Sequence, residues 1–116
     1  MRIALALAAL GALSAVPANA QQQQQAPGDA ASGFRLFMTD GCYQCHGTVG
    51  QGGVGPRLAP DPIPAEAIAQ YIRNPADVMP PYIEKVLGDA GVADIYAYLA
   101  SVKPAPKLQD IPLLAR

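Results

Sequence analysis

Both cysteines of this 116-residue chain, and its only histidine, fall within one short stretch, Cys42-Tyr43-Gln44-Cys45-His46. This C-x-x-C-H spacing is the pattern of covalent c-type haem attachment. Two thiols on one helical turn reach the two vinyl groups of a haem and form thioethers, and the next residue sets an imidazole under the iron. Rival chemistries ask for more than the cluster holds. A thioredoxin-like disulfide belongs to a βαβ context, whereas helix-like segments dominate here. A structural zinc site needs four ligands; Cys42, Cys45 and His46 are three, with no second cluster. A plain structural disulfide leaves His46 without a purpose.

The N-terminus reads as a separate object. Arg2 supplies a positive charge, Ile3 to Val16 is an apolar run broken only by Gly11 and Ser14, and Ala18-Asn19-Ala20 is an A-x-A cleavage site. This is a secretory signal peptide over residues 1–20, cleaved after Ala20. Its apolar run is short for a membrane span, which needs about 20 residues. No cysteine follows it to carry a lipid. Residues 21–28 form a Gln-rich flexible tail, too polar to bury surface. Residues 29–103 make one domain, followed by a Pro-rich C-terminal tail at 104–116. A domain this small is marginal by burial alone and needs a staple, a metal or a cofactor. The formal net charge of −1 excludes the basic footprint of a nucleic-acid binder.

Three segments carry helical periodicity. The first spans about Asp29 to Thr39, with Asp29 as N-cap and Phe34, Phe37 and Met38 on one face. The second spans about Pro64 to Arg73, with Pro64 at the first helical position and Ile68, Tyr71 and Ile72 on one face; Asn74-Pro75 ends it. The third spans about Asp89 to Val102, capped by Asp89 and carrying a stripe of Val92, Ile95, Tyr96, Leu99 and Val102. Between the first two, Gly50-Gln51-Gly52-Gly53-Val54-Gly55-Pro56 predicts backbone passing close to a flat ligand. No convincing strand pattern occurs, so the expected fold class is all-α.

In this order, the motifs resemble those of a small monohaem class I cytochrome c of the bacterial, periplasmic kind, over about Gly33 to Val102. Gly33 and Phe37 resemble the family's glycine–aromatic pair, which packs on the last helix. Gly55-Pro56-Arg57-Leu58 resembles the proline segment after the haem motif. Asn74-Pro75-Ala76-Asp77-Val78-Met79-Pro80-Pro81-Tyr82 resembles the loop of the sixth ligand, and Ala93 to Leu99 the closing helix. The resemblance implies a cytochrome c-like fold, with three main helices around one covalently attached haem c. It also implies that the Pro56 carbonyl holds the second ring nitrogen of His46.

His46 is expected as one axial ligand of the iron. No other histidine exists, so the opposite position falls to a methionine or stays open to water. Met38 lies on an apolar helix face and reads as core; Met79, in a Pro-flanked loop, is the expected ligand. Arg57, Arg73 and Tyr71 are either partners of the haem propionates or ordinary surface and core-edge residues. Tyr82, Tyr96 and Tyr98 are assigned to packing, and Lys85, Lys103 and Lys107 are too few for a docking patch. Ligation by His and Met points to one-electron transfer by a soluble periplasmic carrier, not an enzyme, working between a donor dehydrogenase or membrane complex and an acceptor oxidase or reductase. The alternative is a cytochrome subunit bound stably to a periplasmic dehydrogenase. The chain would then be a monomer or the small subunit of a heterodimer, without a stable membrane anchor. In the tail, Ile111-Pro112-Leu113-Leu114 is apolar and either docks on a partner or folds back on the domain.

Overall fold

The computed structural model describes residues 28–113. The expected signal peptide at 1–20, most of the Gln-rich tail and the last three residues lie outside the described residues. Among the described residues, four helices follow in order: α1 (Ala30–Thr39), α2 (Tyr43–His46), α3 (Ala65–Arg73) and α4 (Asp89–Ser101). A 3₁₀ turn at Leu108–Asp110 lies in the tail. Among the described residues there is no strand, and the fold is all-α.

Asp29 starts α1 by accepting the Ser32 N–H at 2.6 Å, while its own N–H donates to Asp94 Oδ1 at 2.7 Å. That pair sets the first turn of α1 against the middle of α4. The crossing is close because Gly33 has no side chain: a Cβ there would run into the Asp94 carbonyl. One turn on, Phe37 is buried and its ring meets that of Tyr98 at 5.6 Å. Phe34 stays half-exposed and meets the same ring edge-on at 5.3 Å. The Tyr98 hydroxyl donates to the Thr48 carbonyl at 2.7 Å, tying α4 to the segment after the haem motif.

Of the predicted stripe, α4 buries Val92, Ile95 and Leu99; Val102 packs partly buried against the core, but Tyr96 does not join it and Tyr98 does instead. The N-cap of α4 is Gly88, not Asp89; Asp89 is the first helical residue and its carboxylate is bonded to Arg73 instead. Pro64 likewise sits one position earlier than expected, as the N-cap of α3. It has no N–H to satisfy, so it costs nothing at either position, and its carbonyl accepts the Ile68 N–H at 3.0 Å. Phe37, Ala59, Ile72, Leu87, Val92, Ile95 and Leu99 form the core. The described part of the tail does not fold back over it: Leu108 and Leu113 are 69% and 81% exposed.

Candidate haem site

α1 stops at Asp40, and Gly41, at φ 79°, turns the chain into α2. The His46 N–H bonds to the Cys42 carbonyl at 3.0 Å, so Cys42, Cys45 and His46 occupy one helical turn. Gly47, at φ 77°, ends it. The glycine-rich segment then folds back on this turn. Gly52 N–H donates to the His46 carbonyl and Gly55 N–H to the Cys45 carbonyl, each at 2.8 Å. The expectation for these glycines therefore needs correction. Gly50, Gly52 and Gly53 bring backbone close to protein rather than to a flat ligand. A Cβ on Gly53 would lie 2.9 Å from the Cys45 carbonyl, and one on Gly50 would lie 2.8 Å from the Leu99 side chain.

Gly55 has a more specific role. A Cβ there would lie 2.8 Å from His46 Cε1, so only glycine admits the imidazole edge. With that space free, Nδ1 of the buried His46 lies 2.8 Å from the Pro56 carbonyl. A carbonyl only accepts, so Nδ1 carries the proton and donates. In the neutral ring this leaves the lone pair on Nε2, the form in which imidazole binds a metal.

His46 opens onto a cavity of about 830 Å³, walled by Phe37, Ile72, Leu87, Val92, Ile95 and Leu99 of the core. Cys42, Cys45, Pro56 and Met79 line it too. Met79, from the loop after α3, also packs against the core. The two thiols are not joined in a disulfide. Burial, and after it the charge of Asp40, pushes the Cys42 thiol up to about 11. This wall favours neutral sulfur, and a thioether is neutral sulfur.

The family comparison decides what such a site is for. Residues 28–99 match the family described as cytochrome C oxidase, cbb3-type, subunit III. The chain belongs to that family. It is a small monohaem c-type cytochrome, and it carries covalently bound haem c with its iron. No curated protein and no solved structure matches it.

The residues present fit the group this cytochrome takes. An apolar cavity takes the macrocycle, paired thiols lie at its edge, and a buried imidazole presents a free lone pair. Interiors are close-packed, and a core of this size closes only around a large apolar body. Among the described residues, no three or more His, Cys, Asp or Glu are grouped to hold a metal ion, so the zinc reading has no geometry to support it.

Of the residues expected near the propionates, Arg57 and exposed Tyr71 line the cavity, but Arg73 does not. Arg73 is turned to the Tyr82 carbonyl and to Asp89, at 2.8 and 3.0 Å. Tyr82 does more than pack: its hydroxyl donates to the Asp40 carbonyl at 2.7 Å. Burial first, then nearby Cys42, raises its phenol above the ordinary value. Sequence reasoning passed over Asp40, which lines the cavity and has a buried Oδ2 with no partner. An Asp-Gly pair after a helix reads only as a helix stop. Val54 and Val78 also escaped notice; both line the cavity while 88% and 89% exposed.

Proposed function

We propose that this cytochrome is a soluble periplasmic one-electron carrier whose iron is held axially by His46 and Met79. The supporting observation is that His46, whose Nδ1 is held by the Pro56 carbonyl, and Met79 line one apolar cavity with both cysteines. When bound, haem supplies one-electron chemistry, its iron alternating between ferric and ferrous. The chain's own residues set the terms. Cys42 and Cys45 provide the thioethers. Pro56 orients the imidazole and sharpens its basicity through Nδ1. The soft Met79 thioether favours the ferrous state and so raises the potential. With His46 and Met79 both holding the iron, no position would be left for a substrate, which favours electron transfer over catalysis.

The ligand assignment is tested by Met79→Ala. The sulfur-to-iron charge-transfer absorption of the oxidised protein should vanish, and cyanide or carbon monoxide should bind readily; an unchanged spectrum overturns it. Export with cleavage after Ala20, and hence a mature chain starting at Gln21, is checked by N-terminal sequencing of periplasmic protein. Among the described residues, no helix is long and apolar enough to cross a membrane.

The second reading, a stably bound subunit, now has a specific observation behind it. The matching family is described as a subunit of a cbb3-type cytochrome C oxidase, so an oxidase rather than a dehydrogenase is the assembly to test first. The exposed tail leucines, Leu108 and Leu113, are available to such a partner. A carrier elutes alone at its monomer mass, whereas a subunit co-purifies with the oxidase and is shed when the tail is removed.

A further inference from the structure

Apart from a turn at Asp77 and Val78, no regular local structure leads into Met79. It lies in the loop from Asn74 to Tyr82, where Pro75, Pro80 and Pro81 have no N–H to give. Among the described residues, the loop's backbone hydrogen bonds lie at its two ends. Asn74 N–H donates to the Tyr71 carbonyl at 3.1 Å, and Tyr82 N–H to the Ile72 carbonyl at 2.8 Å. Tyr82 is the better anchored end. Its carbonyl accepts from Arg73 Nη1 at 2.8 Å, and its hydroxyl donates to the Asp40 carbonyl at 2.7 Å. The second nitrogen of the same guanidinium, Nη2, is paired with Asp89 Oδ1 at 3.0 Å. One residue thus joins the end of α3, the start of α4 through Arg73, and the turn that carries the cysteines.

Tyr82 follows Met79 by two prolines. Their φ angles are locked by the ring, so little of a displacement at Tyr82 is absorbed before it reaches Met79. The charge-assisted two-pronged hold of Arg73 and the hydroxyl on Asp40 therefore act on the thioether from a short distance along the chain.

We propose that Tyr82 and Arg73 form a latch that keeps Met79 on the iron, with Tyr82 as its positioning residue. This rests on Met79 being the axial ligand. The latch joins the ligand loop to Asp40, just before the cysteine turn, so it holds the carriers of the two axial ligands at a set separation. Opening it lets the methionine leave while the core stays intact.

The test uses the ferric holoprotein with imidazole as the competing ligand. Apparent imidazole affinity scales with the fraction of molecules in which methionine is off. Tyr82→Phe should raise that affinity about fivefold to tenfold, the scale of one neutral hydrogen bond. Arg73→Gln should raise it at least as much. In the Met79→Ala background, Tyr82→Phe should change nothing, because no methionine is left to hold. If Tyr82→Phe lowers the urea midpoint but leaves imidazole affinity unchanged, Tyr82 is only a packing residue and the latch is overturned. An equal rise in both backgrounds also overturns it, since the effect would not run through methionine. If Met79→Ala itself keeps the charge-transfer absorption and the imidazole affinity of the parent, the ligand assignment fails first and the latch with it.

Discussion

Between α1 and α4, Gly33 lies against the Asp94 carbonyl, and Phe37 and Leu99 are each 1% exposed. In the loop that carries Met79, Val78 is 89% exposed, and the hydrogen bonds gather at the ends. The first region is held by burial spread over many atoms; the second has only Met79 and Tyr82 packed, partly buried, against the core, and a few polar contacts around Tyr82. Burial cannot be withdrawn piecemeal from a close-packed interface. A latch of a few bonds can open alone, as a local event well below global unfolding. The protein thus pairs a close-packed helix interface with a loop, the one that carries Met79, whose hold is set separately.

The comparison breaks if the interface proves soft. Phe37→Ala should cost about 3–5 kcal/mol, as aromatic truncations in cores do, read from urea unfolding of the holoprotein; a cost near zero would mean that burial does not hold α1 to α4. Gly33→Ala should cost about 3 kcal/mol, the upper end for overpacking, because the added methyl meets backbone that cannot rotate away. Tyr98→Phe should cost about 1 kcal/mol at neutral pH, the value of its bond to Thr48.

Tyr98 also predicts a pH dependence. Burial raises its phenol in the folded protein. Its contribution is therefore complete below the ordinary tyrosine value of about 10, where the unfolded chain begins to lose its proton. It is lost as pH rises through the higher folded value. Urea midpoints followed from neutral to strongly alkaline pH should fall less steeply in Tyr98→Phe than in the parent. At the small end, Val78→Ser should change stability by no more than about 0.5 kcal/mol, as exposed substitutions do. A larger loss would show that the loop is held by packing as well as by its latch.

Much of this was legible from residue order. Asp29 as N-cap and the α4 stripe follow from capping and periodicity, which depend on neighbours within one or two turns, whereas the Gly33–Phe37 pair was implied by the family resemblance. The C-x-x-C-H turn announced its cofactor because the chemistry needs that spacing whatever surrounds it. Capping at the other helices was read one position off. Pro64 fits two adjacent positions equally well, and Asp89 is drawn to a guanidinium sixteen residues away rather than to its own helix.

What the sequence determined by itself is therefore local or compositional: an all-α chain, one haem c, a single histidine and few methionines. What only the tertiary structure decided is how distant groups share atoms. It turned Arg73 away from the cavity to Tyr82 and Asp89, and it set the Tyr82 hydroxyl on Asp40, 42 residues away. The physical reason is range. Backbone propensity acts over a few residues, whereas a hydrogen bond between side chain and carbonyl depends on atomic distances that exist only once the helices have packed.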